Sequence, residues 1–230
     1  MGNNKIEKVI PEEVTEEKIS NAMHFYLLAT KLKNKIRSGW DATHWNVKSE
    51  RIESIAEHVY GTCILAIALE SEFDMDINLE KVLKMLTIHE IGEVLIGDIT
   101  PFDNITVDEK ANMEHEAMQK VLETLFKREE LYDLLLEFDS RETNEAQFAY
   151  LCDKLEADIQ AKIYQDSGCQ RSLDDQGSNI VFNTPLVKGM IANCAKYAFD
   201  IWYEWDKSKF TDSPVFSKTL SFVKKNNMNI

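Results

Sequence analysis

The sequence predicts an all-α fold, a single compact helical bundle over residues 1–230 with extra helices at its C-terminal end. Only 8 Gly and 4 Pro punctuate 230 residues. Apolar residues recur mostly at the three- and four-residue spacing of helices, and alternating strand patterns are scarce. One domain with a sizeable core is expected at this length.

The N-terminal segment is predicted to form one helix followed by a long loop. Thr15 is placed to cap a helix over about residues 16–36. The apolar stripe of this helix is predicted to include Ile19, Met23, Tyr26, Leu27 and Leu32. Residues 37–53 break the periodicity, which predicts an ordered loop there.

Two helices are predicted next, each with an N-terminal cap. Ser54 and Glu57 form a capping-box pattern, which predicts a helix over about 55–72. Asn78 is placed to cap a helix over about 79–95. The segment Gly97-Asp-Ile-Thr-Pro101 is predicted to end that helix and form a loop.

The remaining elements follow from caps and punctuation. Thr106-x-x-Glu109 is a second capping box, and helices are predicted over about 106–126, 129–138 and 142–166. Residues 167–183 are rich in polar residues and predict a loop or lid. Pro185 and Pro214 fit the first turns of two helices, so the C-terminal helices span about 184–228, the first running to about 206.

The charge balance excludes some partners. The chain has 40 acidic and 26 basic residues, for a net charge of -14. Nucleic-acid polymers and anionic membranes need clustered positive charge, so neither is an expected partner. No apolar run is long enough to span a membrane. A small anionic ligand in a locally positive pocket remains compatible with this composition.

The four cysteines indicate a compartment. They stand at 63, 152, 169 and 194, and no pair has Cys-x-x-Cys spacing. Free thiols are typical of a reducing cytoplasm, and the N-terminus has no apolar signal core. A cytoplasmic location is therefore expected.

The segment His89-Glu-Ile-Gly-Glu-Val-Leu-Ile-Gly-Asp98 concentrates one imidazole and three carboxylates among apolar residues and glycines. On a continuous helix, His89 and Glu93 share a face. Imidazole and carboxylate suit divalent metals, and a bundle core can build such a site from facing helices. The candidate ligands are His58, His89, Glu90 and Asp153. Their spacing alone cannot show that they meet.

An ordered set of motifs over about residues 25–165 resembles the HD-domain hydrolases, and within them the 5'-deoxynucleotidase branch. The motifs are Arg37-Ser-Gly-Trp40, Glu53-Ser-Ile-Ala-Glu57-His58, His89-Glu90-x-x-Glu93-x-x-x-Gly97-Asp98-Ile99-x-Pro101 and Asp153-Lys154-Leu155-Glu156. The resemblance implies an HD-domain bundle that releases phosphate from small nucleotides, in particular from deoxynucleoside 5'-monophosphates.

The resemblance also implies residue roles. One divalent ion (Mn, Co, Mg, Zn, Ni or Fe) is expected on the four candidate ligands. Glu93 and Asp98 match the catalytic acids beside the phosphate, with base and acid roles interchangeable. Arg37 and Trp40 match the substrate-binding loop, in which Arg37 offers a fork for phosphate and Trp40 a ring for base or sugar. A homodimer is compatible with the resemblance.

One departure leaves alternatives open. The family is named for a His-Asp pair, and this chain has His89-Glu90. Glutamate is one methylene longer, which puts the identity of the metal in question. Two alternatives are therefore carried: an HD-fold protein that binds nucleotides without turnover, and a hydrolase of another phosphorylated metabolite.

Overall fold

A computed structural model describes residues 13–176, 179–193 and 195–229. Its α-helices are α1 (Glu16–Ala29), α2 (Ile55–Phe73), α3 (Leu79–Ile88), α4 (Glu93–Ile96), α5 (Val107–Leu122), α6 (Arg128–Ser140), α7 (Asn144–Asp166), α8 (Pro185–Asn193), α9 (Ala198–Asp206) and α10 (Pro214–Lys225). Within these ranges, Ile36 and Ser54 form one isolated antiparallel β-bridge. The predicted all-α fold is confirmed.

Local capping fixes several helix starts where the sequence predicted them. Ser54 and Glu57 form a reciprocal capping box at the start of α2, and Thr106 and Glu109 do the same at α5. Each box satisfies backbone N–H groups that the first helical turn leaves without partners. The Asn78 side chain accepts from the N–H of Lys81 at the start of α3.

Helix α7 is the centre of the bundle. Its 23 residues span about 35 Å at 1.5 Å per residue, and it packs against α2, α3, α6, α9 and α10. Because neighbours surround it, polar residues such as Asp153, Glu156 and Asp158 are buried along with its apolar ones. A polar group buried in this way needs a partner or a functional role.

The predicted continuous helix over 79–95 is wrong, because the helix ends at Ile88 and His89 begins a turn. The His89 side chain donates from Nδ1 to the carbonyl of Leu86 at 2.7 Å, one turn back along the helix. Such side-chain bonds compete with the helical ladder. The next turns are tight, with Ile91 N–H donating to Ile88 and Glu93 N–H to Glu90, and the short helix α4 follows.

The predicted helix over 184–206 is also wrong, because it is two helices. The Asp200 carboxylate accepts from the backbone N–H groups of Lys196 and Tyr197. A carboxylate that satisfies these N–H groups begins a new helix, since they have no partner in the first turn. The helix α9 therefore starts at Ala198.

The first helix is shorter than predicted, and the face that it packs against the core is not the predicted apolar stripe. It ends at Ala29, where a 3-10 helix (Thr30–Asn34) continues. Four of the five stripe residues are exposed, namely Ile19, Met23, Tyr26 and Leu27. The core contacts instead come from Phe25, Leu28 and Ala29, together with buried Leu32. The helix has apolar residues on two sides, so periodicity alone predicted the wrong side to be buried.

The described part of the 167–183 loop is anchored to the core. Val181 is fully buried and Phe182 packs edge-on against Trp45, with ring centroids 5.2 Å apart. The predicted lid role stays a prediction. In the described part of the chain, no helix is both long and apolar enough to cross a bilayer.

Candidate active site

The four predicted ligands meet at one point in the bundle. His58 comes from the first turn of α2, His89 and Glu90 from the turn after α3, and Asp153 from the middle of α7. One ligand atom of each lies within 4.8 Å of all the others. The convergence spans almost a hundred residues of sequence, and the packing of α2, α3 and α7 produces it.

The spacing of these atoms suits a cation. His58 Nε2 lies 3.0 Å from Asp153 Oδ1 and 3.8 Å from Glu90 Oε1. His89 Nε2 lies 3.5 Å from Glu90 Oε1 and 3.8 Å from Asp153 Oδ1. Two ligands at about 2.1 Å from one ion lie roughly 3.0–3.5 Å apart at angles of 90–110°. The observed separations are close to that range.

An orphaned atom gives an independent test of fit. His89 Nε2 is buried and has no hydrogen-bond partner. Its ring donates from Nδ1 to the Leu86 carbonyl, which leaves Nε2 as the lone-pair nitrogen. Metal-ligating histidines commonly donate their other ring N–H to a backbone carbonyl. The residues present therefore fit a divalent cation.

His58 is held by a second layer of carboxylates. Glu156, one turn after Asp153 on α7, hydrogen-bonds to His58 Nδ1 and so directs Nε2 toward the cluster. Glu53 is buried behind it and accepts from Trp40 Nε1 at 2.8 Å. Burial, followed by the charge of Glu156, raises the pKa of Glu53 to about 7. This layer orients the ring, as carboxylate–histidine pairs do at metal sites.

The electrostatics of the cluster favour positive charge. Burial and the charge of Arg37 lower the pKa of His58, but Glu156 and Asp153 raise it more, to about 10 overall. Burial raises the pKa of Glu90, but the charges of His89 and Arg37 lower it more, to about 2. The carboxylates thus hold a proton on His58 that binding of a cation must release.

Arg37 and Asp98 are joined to each other and to the cluster. Arg37 Nη1 donates to Glu90 Oε1 at 2.9 Å, and its Nε lies 3.9 Å from Asp98 Oδ2. Asp98 Oδ2 also accepts from the N–H of Ser38 at 2.8 Å. Gly97 precedes it with a φ of +83°, a conformation that favours glycine. The Asp98 carboxylate therefore fixes the loop that carries Arg37.

Glu93 is the first residue of α4 and is 4% exposed. Its Oε2 has no hydrogen-bond partner. Burial, followed by the charges of Glu90 and Asp98, raises the pKa of Glu93 well above its usual range. A carboxyl group whose environment raises its pKa in a cleft is suited to proton transfer.

Trp40 is more buried than expected for a ring that stacks on a nucleoside. It is 1% exposed and packs against Trp202 and Tyr164, with ring centroids 5.1 and 5.3 Å away. It nevertheless lines the cavity beside the cluster. Its role in holding a nucleoside stays a prediction, as do the roles of the other site residues.

A cavity of about 360 Å³ opens onto the cluster. Among its lining residues are the predicted site residues Arg37, Trp40, His89, Glu90, Glu93, Asp98 and Asp153. Small-molecule sites are typically about 300–1,000 Å³, so this volume suits a small ligand such as a mononucleotide. His58 belongs to the same cluster and is fully buried.

The sequence placed Glu53 and Glu156 in the motifs but assigned them no orienting role. The spacing of Asp153 and Glu156, three apart on one helix, was a signal that both face the same neighbour. Gly61 gave a weaker signal, as a glycine within α2. A Cβ at Gly61 would lie 2.9 Å from Glu156 Cδ and would overlap its carboxylate. The glycine leaves room for Glu156 to reach His58.

Replacing Gly61 with alanine is expected to weaken metal binding by roughly 10–100-fold, the usual effect of disturbing an orienting partner. The added methyl group must displace the Glu156 carboxylate from His58. Isothermal titration of metal into metal-free protein measures this.

The matched control is Gly189→Ala in α8, where a Cβ meets nothing within 4 Å. That change is expected to leave metal affinity unaltered and to stabilise the helix by up to about 1 kcal/mol. In a Glu156→Ala background, Gly61→Ala should have no further effect on metal affinity. A full effect in that background would show that Gly61 acts by another route.

An all-α bundle with a largely buried two-histidine, two-carboxylate cluster beside a cavity defines a helical protein with a site that could hold a metal ion. A family model described as HD domain matches residues 29–190. The chain belongs to the HD-domain family.

Individual relatives agree with this placement. The 5'-deoxynucleotidase HDDC2 of Dictyostelium discoideum is 35% identical over 154 residues, covering 64% of this chain and 79% of that protein. A crystal structure of a predicted metal-dependent phosphohydrolase from Magnetospirillum magnetotacticum has a TM-score of 0.54 at 28% identity, covering 66% of this chain and 74% of that chain. A protein from Pyrococcus horikoshii shares the fold with a TM-score of 0.64 at 24% identity, over 88% of this chain and 98% of that chain. The resemblance noted in the sequence is confirmed.

Proposed function

We propose that this protein is a metal-dependent phosphohydrolase that releases phosphate from deoxynucleoside 5'-monophosphates. The observation that carries the proposal is the convergence of His58, His89, Glu90 and Asp153 beside a cavity of about 360 Å³. A relative at 35% identity is named a 5'-deoxynucleotidase, which supports the substrate class.

The proposed role of the four ligands is to hold a divalent cation. A divalent cation held by them would acidify a water molecule and neutralise charge on phosphate oxygens. Mn²⁺, Co²⁺, Mg²⁺, Zn²⁺, Ni²⁺ and Fe²⁺ are all candidates, because nitrogen and oxygen ligands do not by themselves select one.

The neighbouring residues supply positioning and proton transfer. Arg37 uses Nη1 on Glu90, and its planar fork has further N–H donors for a phosphate. Glu93, whose pKa is raised by burial and by the charges of Glu90 and Asp98, would supply a proton to the departing 5'-oxygen, and Asp98 would accept the proton of the attacking water. The two carboxyl groups can exchange these roles. Monoester hydrolysis depends mainly on positioning and charge stabilisation, which this arrangement offers.

The longer side chain of Glu90 is compatible with turnover. Its Oε1 lies within 3.5 Å of His89 Nε2 and 3.8 Å of His58 Nε2, so the extra methylene does not carry the oxygen out of reach. The His-Glu departure was the only motive for a binding protein without turnover, and this geometry supports the hydrolase over that alternative.

Phosphate release from a nucleotide panel tests the proposal. Metal-free protein is mixed with each candidate ion and with deoxynucleoside and ribonucleoside monophosphates, a nucleoside triphosphate and a sugar phosphate. Release is expected from the deoxynucleoside monophosphates and only with added metal. Absence of release from folded protein with every ion would contradict it, and preferential release from the sugar phosphate would favour the other-metabolite alternative.

We also propose a cytoplasmic homodimer. Cys63, Cys152 and Cys169 are free thiols, as expected in a reducing compartment. The exposed residues Tyr60, Ile64 and Ile67 share one face of α2 and are better placed for a dimer interface than the C-terminal aromatic residues. Trp202 packs inward against Trp40 and Trp45. Sedimentation equilibrium measures the oligomeric state.

A further inference from the structure

Helix α9 closes part of the cavity with aromatic side chains that the phosphate chemistry does not use. Trp202 and Trp205 both line it. Trp202 packs against Trp40 and Trp45, with ring centroids 5.1 and 5.0 Å away. Trp205 packs against Phe102 at 5.6 Å. The cavity therefore has a charged wall at the cluster and an aromatic wall at α9.

An ion pair between a buried carboxylate and a partly exposed lysine stands beside this aromatic wall. Asp206, the last residue of α9, is 3% exposed and lines the cavity. Lys209 also lines the cavity and forms an ion pair with Asp206. Burying a charged carboxylate such as Asp206 is costly unless a partner or a function compensates. None of the metal, phosphate or proton-transfer roles assigned above requires Asp206 or Lys209.

A second carboxyl group lies behind Asp206. Asp158 of α7 is fully buried, and neither of its oxygens has a hydrogen-bond partner. Burial, followed by the charge of Asp206, raises the pKa of Asp158 well above its usual range. Two carboxyl groups and a lysine are thus assembled at one place, where one carboxyl, Asp206, faces the cavity.

We propose that Asp206 and Lys209, beside the rings of Trp202, Trp205 and Phe102, form a nucleobase-binding subsite that favours guanine. A carboxylate and an ammonium side by side offer acceptors next to a donor. The guanine edge presents the complement, with N1–H and N2–H for the carboxylate and O6 for the ammonium. Adenine, cytosine and thymine each have fewer adjacent N–H donors than guanine with which to bind a carboxylate. The aromatic rings provide apolar surface for the base plane.

This inference rests on the proposed function, because it assigns the base end of the same substrate. Its test compares kcat/KM for dGMP, dAMP, dCMP and dTMP with that for 2-deoxyribose 5-phosphate, which carries no base. Wild-type protein is expected to favour dGMP. In Asp206→Asn, the ratio of kcat/KM for dGMP to that for deoxyribose phosphate should fall roughly tenfold or more, mainly through KM.

Two further variants sharpen the result. Lys209→Met should lower the same ratio, because it removes the donor to O6. This variant also tests the subsite if Asp206→Asn does not fold. Lys207→Met is the matched control, since Lys207 pairs with Glu204 at the surface and should leave the ratio unchanged. Equal kcat/KM for the four nucleotides, or an unchanged ratio in folded Asp206→Asn and Lys209→Met, would overturn the subsite.

Failure of the proposed function gives a distinguishable result. If no substrate releases phosphate, calorimetry with deoxyguanosine, which has no phosphate, still probes the subsite. Binding to wild type that weakens tenfold or more in Asp206→Asn supports the subsite without hydrolysis. No binding of deoxyguanosine together with no turnover would overturn both proposals.

Discussion

Replacing His89 with alanine is expected to remove the bound metal and to lower phosphate release by at least about 1,000-fold. His89 Nε2 is buried and has no hydrogen-bond partner among the described residues, so its lone pair is free to bind a cation. Loss of the cation removes several kcal/mol of charge stabilisation from the transition state, and each 1.36 kcal/mol is tenfold in rate. Metal content and phosphate release of the same sample measure both effects.

The control for this change is His24→Ala, on the exposed side of α1. It is expected to retain metal and activity. Melting temperatures of both variants, compared with metal-free wild type, separate loss of metal from loss of fold. A folded His89→Ala protein that keeps its metal and its rate would show that His89 is not a ligand.

Replacing Glu93 with glutamine is expected to lower kcat by about 10²–10⁴-fold, the usual contribution of a positioned acid or base. Glutamine has the same shape as glutamate but cannot exchange a proton in this role. Metal content and KM should change little, because Glu93 lies outside the four-atom cluster. Steady-state kinetics at saturating metal measures the split between kcat and KM.

Glu116→Gln is the matched control, since Glu116 is exposed on the outer side of α5. It should behave as wild type. A Glu93→Gln protein with kcat within a few-fold of wild type would exclude Glu93 from proton transfer. The binding-protein alternative makes a different forecast: nucleotide stabilises the protein equally before and after the change, and wild type releases no phosphate.

The fold was largely predictable because caps and periodicity are local signals. Ser54 and Thr106 each begin a helix at the predicted place, since capping depends on residues three apart. The break at His89 was not predictable from periodicity, because it depends on a side-chain bond to Leu86. The sequence predicted that His89 and Glu93 share one face of a continuous helix, whereas a tight turn separates them.

The site was predictable to a different extent. Motif order named the cluster residues, but only packing of α2 against α7 shows that His58 meets Asp153. The role of Glu156 depends on the space left by Gly61, and a glycine within a helical pattern is only a weak signal of such space. Asp206 escaped prediction because it lies beyond the motif core and reaches the cavity only through the turn that starts α9.

Anomalous diffraction from crystals grown with Mn²⁺ tests the central claim most directly. We expect one peak per chain at bonding distance, about 2.0–2.4 Å, from His58 Nε2, His89 Nε2, Glu90 Oε1 and Asp153 Oδ1. A peak instead among Glu53, His58 and Glu156, the other group of potential ligands in the described residues, would contradict the assignment. Crystals without any peak near His89, from protein that still releases phosphate, would contradict it equally.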